Sequence, residues 1–240
     1  MSTAPLDTRP RAQARPQTAL WRAVLAIVWK DLASEWRSRE LLSSMMVFAL
    51  AVLFIFNFAL ELDARTRTEV IGGMLWSTFT FAGTLGLNRS MAAEKDRGAL
   101  DGLLLAPMDR SAIYLGKVLA NWLFMLAMAG LVLPLVSMLY NQNLFRLGLL
   151  GVIVLGSLGY VAVGTLLAAM AVQARTRDML LPILLLPLVL PVLIPAVRAS
   201  MGFLRDLPWA DFASSVHLLV ATDIIFLAVG YMLFDAVMAE

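Results

Sequence analysis

Apolar residues run along this chain in six long blocks separated by short charged stretches. A helix needs roughly 20 apolar residues, each rising about 1.5 Å, to cross a hydrocarbon layer of about 30 Å. The blocks at 41–60, 70–89, 111–139, 148–173, 179–197 and 214–236 meet that requirement and predict six membrane-spanning helices. The third block is long enough to tilt or to begin before the membrane. The fifth carries Pro182, Pro187, Pro191 and Pro195. Each proline removes a backbone donor, so this span is expected to be kinked or broken. Freed carbonyls are tolerated in a bilayer only against protein or a wet cavity, so it is expected to face the protein interior or a partner.

The N-terminal 40 residues follow a different pattern. Residues 1–19 are rich in Pro, Arg, Ala and Gln, lack an apolar period and predict a disordered tail. No apolar stretch follows the basic start closely, which argues against a cleavable signal peptide. In 20–40, Leu20, Val24, Ile27, Val28 and Leu32 lie close to one helical face, while Arg22, Lys30, Asp31 and Arg37 lie largely elsewhere. With Trp21, Trp29 and Trp36 suited to the headgroup region, this segment predicts an interfacial amphipathic helix. The alternative is a cytoplasmic extension of the first span. Residues 41–240 then form one six-helix domain.

Composition supports the all-α membrane protein class. Hydrophobic residues make up 60% of the 240 and charged residues 15%, against about half and a quarter in soluble domains. Too little remains outside the spans for a large soluble core. The chain has no cysteine and one histidine, so disulfides and thiolate metal sites are excluded, and no metal site or nucleic-acid partner is expected. Of the 19 Lys and Arg, fourteen fall in 1–40, 89–117 and 174–178, and five in the alternate loops. That bias predicts both termini inside.

The segment 88–117, NRSMAAEKDRGALDGLLLAPMDRSAIYLGK, mixes Glu94, Lys95, Asp96, Arg97 and Asp101 with Leu100, Leu103, Leu104 and Leu105, then meets Pro107. A short helix with one charged face and one leucine face fits it. Such a helix either docks into a partner's groove or packs against its own spans, and composition does not separate the two.

The run from Gly73 to Tyr140 resembles the haem exporter protein B family (CcmB), the permease subunit of the cytochrome c maturation ABC transporter. GMLW at 73–76, the acid-Gly-Leu-Pro pattern of 94–107 and LGKVLANWL at 115–123 carry the resemblance. The proline-rich fifth span, 180–195, preceded by the basic loop 175–177, adds to it. The chain departs from the pattern at Asn88, where the family has an acid, and in its longer basic tail; its last span matches no motif.

The resemblance implies an ABC-2-like permease in the bacterial inner membrane, present as two copies beside a separate cytoplasmic ATPase and other cytochrome c maturation membrane subunits. No G-x-x-x-x-G-K-[ST] phosphate loop occurs in the chain, so ATP hydrolysis and enzyme activity are not expected of it. It also implies that 90–110 is the coupling segment, with Glu94, Asp96, Arg97, Gly98, Leu100, Leu103, Leu104 and Pro107 meeting the ATPase. Haem is then the cargo rather than a firmly bound cofactor, or the ATPase drives release of a haem-loaded chaperone. The alternative is an ABC-2 permease exporting a drug, lipid or polysaccharide.

Two polar residues in the sixth span complete the candidates. Asp223 lies near its centre, where a carboxylate costs roughly 2.5–3.5 kcal/mol to insert, so it is expected to face a bundle interior. It handles cargo or a proton, or hydrogen-bonds a neighbouring span. His217, near the outer end, supplies one axial haem ligand at most, or serves structure alone.

Overall fold

The computed structural model describes residues 20–59, 64–96, 109–171 and 177–237, with the backbone alone at 64–69, 96, 177 and 178. Among them are seven helices and no strand: α1 (Leu20–Ser38), α2 (Glu40–Ala59), α3 (Ala64–Asp96), α4 (Arg110–Tyr140), α5 (Leu147–Ala171), α6 (Arg177–Leu204) and α7 (Trp209–Val237). Helices α2 to α7 are each long and apolar enough to cross a membrane. The tail 1–19 lies outside the described residues.

Helix α5 is the hub, touching α3, α4, α6 and α7. Small residues make this possible. Gly156 gives way to the Trp76 ring, Gly164 to Leu87 and Gly159 to Asp223. Between membrane helices there is little hydrophobic driving force, so close backbone approach through small residues is what supplies packing. Buried polar contacts between helices gather on the same helix. The Tyr160 hydroxyl donates to the Thr80 carbonyl at 2.8 Å and meets Thr84 Oγ1 at 2.8 Å, and Asn121 donates to Thr165. Trp76 Nε1 donates to Ser200 Oγ at 2.9 Å, joining α3 to α6.

Helix α1 seats its apolar face on protein. Ala23, Val24, Ile27 and Val28 are buried, chiefly against α4. The expected lipid-facing stripe is therefore taken up by the bundle. The face left open carries Trp21, Leu25, Trp29 and Trp36, with the three tryptophans 66, 75 and 81% exposed. Arg39 alone separates α1 from α2. It adopts φ 55°, and its N–H donates to the Glu35 carbonyl at 2.7 Å. The Glu35 carboxylate accepts the amides of Leu41 and Leu42, which lie in the first turn of α2 and have no partner within that helix.

Helix α6 runs as one helix through all four prolines, so of the two expected outcomes, a kink or a break, the break does not occur. Pro187, Pro191 and Pro195 are spaced four apart, so their missing donors gather on one side. The opposite side keeps its ladder and packs through Leu181, Leu185, Val189, Val192 and Ala196. Pro187 and Pro191 themselves are exposed on this chain. At the end of the bundle away from α1, Arg146 donates to the Phe203 carbonyl at 2.6 Å and pairs with Asp206, tying the α4–α5 and α6–α7 connections together.

Candidate functional site

Four charged side chains from three helices close into a ring at the α1 end of the bundle. Lys117, in the third turn of α4, is 1% exposed; its Nζ lies 2.8 Å from Asp31 Oδ2 and 2.8 Å from Glu94 Oε1. Lys30 Nζ pairs with the same Glu94 oxygen and lies 3.1 Å from Asp31 Oδ1. Two cations face two anions, so the ring is formally neutral, as a buried cluster needs to be. Burial works against the Lys30 ammonium, but its hydrogen bond to Glu94 and the charges of Glu94 and Asp31 outweigh this and raise its pKa above 10.5.

The local sequence explains the geometry. Gly116 precedes Lys117, and a Cβ there would stand 2.8 Å from the Ile27 Cβ. Glycine at this point lets α1 approach α4 closely enough for Asp31 to reach Lys117. Glu94 sits in the last turn of α3 and Lys117 near the start of α4. The ring therefore grips both stems of the 97–108 connection and joins them to α1. A cleft of about 460 Å³, lined in part by Ser34, Glu35, Arg89 and Glu94, opens beside it. Glu94 is 7% exposed and its Oε2 has no hydrogen-bond partner.

Of the residues expected to meet an ATPase, Glu94 is turned inward to Lys30 and Lys117. Asp96 ends α3. Arg97, Gly98, Leu100, Leu103, Leu104 and Pro107 lie outside the described residues. Helix α3 carries through Glu94 and Asp96, so these two belong to a span's extension rather than to a separate short helix. Lys30, Asp31 and Lys117 escape notice in the sequence because their partners lie 64 and 86 positions away. One signal was available: Lys117 interrupts an apolar block, and a lysine there needs a counter-charge.

Asp223 and His217 do not form one site. Asp223 is 3% exposed, packed against Gly159, and neither carboxyl oxygen has a hydrogen-bond partner. His217 is exposed on another face of α7, with its ring 6.4 Å from that of Trp209. No cluster of three or more His, Cys, Asp or Glu suited to a metal occurs among the described residues.

The family model described as CcmB protein matches residues 22–239, nearly the whole chain. The chain belongs to the CcmB family. It is 33% identical over 193 residues to Heme exporter protein B of Pseudomonas aeruginosa, covering 76% of this chain and 80% of that protein. It is 28% identical over 190 residues to Heme exporter protein B of Bradyrhizobium diazoefficiens, with 77% and 83% covered. The protein of the same name in Escherichia coli is 27% identical over 201 residues, with 80% and 87% covered. The match takes in α1 as well as the six spans, so all four ring residues fall within the region the CcmB family model covers.

Proposed function

We propose that this CcmB-family chain is the permease subunit of an ABC transporter that exports haem for cytochrome c maturation. The observation that carries the reading is the family match across 22–239, together with relatives named Heme exporter protein B over three quarters or more of the chain. A cytoplasmic ATPase subunit supplies the hydrolysis, two permease copies pair in the complex, and other membrane subunits of the pathway stand beside them. Both termini face the cytoplasm, and α1 lies at the membrane surface with its tryptophan stripe toward the headgroups, where such rings are favoured.

The 97–108 connection joins α3 to α4 on that cytoplasmic side. Its leucines dock into the ATPase, each burial contributing roughly 1.5–3 kcal/mol before ordering costs. Exposed charge pairs at the rim are worth at most about 1 kcal/mol each. Glu94 acts from inside, as part of the ring that holds the stems, and the ring passes motion of the connection to α1. Asp223 is a packing residue beside Gly159 in this reading.

Co-purification tests it. Leu103→Asp and Leu104→Asp are expected to strip the ATPase from the permease and to stop cytochrome c maturation, whereas Lys95→Gln leaves both intact. Unchanged ATPase recovery and maturation in both leucine variants would remove 97–108 as the coupling segment.

A further inference from the structure

The GMLW motif at 73–76 has no part in the coupling just described, yet two of its residues border a groove. The groove lies between α3 and α6 on the outside of the bundle, with a volume of about 390 Å³. Gly73, Trp76 and Phe81 line it from α3, and Leu186, Ile194 and Arg198 from α6. Its walls are almost wholly apolar. Trp76 Nε1 is already donated to Ser200, so the indole offers the groove no free donor.

Besides the small hydroxyls of Ser77 and Thr80, the latter donated to the Trp76 carbonyl at 2.7 Å, Arg198 is the one charged group in the lining. It is exposed and makes no hydrogen bond or ion pair with any described residue. It stands six residues before the end of α6 at Leu204, about 9 Å along the axis. An arginine at that depth needs an anion or the headgroup layer. The groove continues from Arg198 and Gly73 toward Phe81, eight residues on, or about 12 Å. One hydrocarbon leaflet is about 15 Å deep, half the core thickness. The groove thus has a cation just past the end of the 179–197 apolar block and an apolar slot nearly one leaflet long.

Gly73 keeps the slot open. A Cβ added there would meet nothing within 4 Å, so the space beside it is not filled by the protein. From the cation, the slot length and this opening, we infer that the α3–α6 groove binds one phospholipid of the leaflet on the Arg198 side, its phosphate on Arg198 and an acyl chain along Gly73, Trp76 and Phe81. Haem also joins an apolar body to acidic groups. The lining, however, offers no imidazole, thiol or thioether to its iron, and the leaflet-long shape suits a chain better than a disc.

The test is bound lipid. The full chain, co-expressed with its partner subunits, is purified in mild detergent, and phospholipid retained per chain is measured by mass spectrometry. Gly73→Phe fills the slot from a position with free space and is expected to reduce retained phospholipid. Ile194→Trp does so from the opposite wall and keeps the test open should the first variant accumulate poorly. Arg198→Gln removes a charge-assisted bond to phosphate, expected to weaken retention about tenfold or more. Retention equal to the parent in the slot-filling variants and in Arg198→Gln would overturn the assignment. So would haem, measured as its pyridine adduct, bound to the parent and lost from the same variants. Because these readouts are lipid and haem content, they stand apart from any loss of ATPase docking.

Discussion

The Asp223 carboxyl on α7 occupies the space that a side chain at Gly159 on α5 would fill, and a Cβ at that glycine would overlap Oδ1. The two positions are therefore one packing decision shared between helices. Gly159→Ala is expected to destabilise the bundle by about 1–3 kcal/mol, the usual cost of overpacking. Asp223→Ala removes an acid whose oxygens have no partner, so it should cost little by itself and should relieve Gly159→Ala. Thermal midpoints in detergent for the four members of this cycle check it. Additive effects would sever the link.

Lys117 carries the ring. With its side chain 1% exposed and two carboxylates at 2.8 Å, Lys117→Met leaves a net negative charge buried among three helices. Removing one member of a buried pair costs about 3–5 kcal/mol, so a large fall in the thermal midpoint is expected. The double variant Lys117→Met, Asp31→Asn leaves Lys30 paired with Glu94 at net zero charge and should recover part of the loss.

Lys30 gives a pH test with a definite sign. Its folded pKa is raised above 10.5. A raised pKa means stabilisation that is fully present below the unfolded value and lost as pH climbs through the folded one. The difference in midpoint between the parent and Lys30→Met is therefore expected to stay level from about pH 6 to 9 and to shrink only in strongly alkaline buffer. A difference that vanished near neutrality would show that Lys30 is not held charged by Glu94 and Asp31.

Arg39 makes the α1–α2 corner with φ 55°, a region in which side chains without local hydrogen bonding are strained by about 1–2 kcal/mol. Arg39→Gly should be neutral to mildly stabilising, and Arg39→Val destabilising by about that amount. Loss of stability in the glycine variant would mean the guanidinium, rather than the turn, sets the corner.

The orientation is checked by cysteines placed in this cysteine-free chain. Ser2→Cys is expected to be protected from an impermeant thiol reagent in intact cells, while Asn143→Cys and Leu207→Cys are labelled. The reverse pattern would turn the bundle over and place the ring, and the 97–108 connection with it, outside.

Six spans were legible because a bilayer imposes one length and one composition on every crossing, and blocks such as 148–173 satisfy both without help from neighbours. The start of α3 at Ala64 was not legible: Arg65 to Glu69 are polar, and a helix that continues past the apolar layer leaves no hydropathy signal. Helix α1 was legible as a helix but not in its facing, because Val24, Ile27 and Val28 suit lipid and a neighbouring helix equally. Only the docking on α4, opened by Gly116, separates the two. The ring was illegible for the same reason. Asp31 and Lys117 are 86 residues apart, and nothing along the chain says that α1 folds back to the start of α4. The outward slot at Gly73 was visible only as a motif without a purpose.

The single-residue corner at Arg39 has a consequence for helical phase. Glu35 holds the first amides of α2, while Lys30 and Asp31, one turn earlier, close the ring. With one residue between the helices there is no slack to absorb a change of length. One alanine inserted after Glu35 would turn everything before it by about 100° and shift it by about 1.5 Å. Lys30 and Asp31 would swing away from Lys117, and the tryptophan face would turn toward α4. Helix α1 is thus keyed like a spline in a shaft, with its angular setting fixed at the corner and read at the ring.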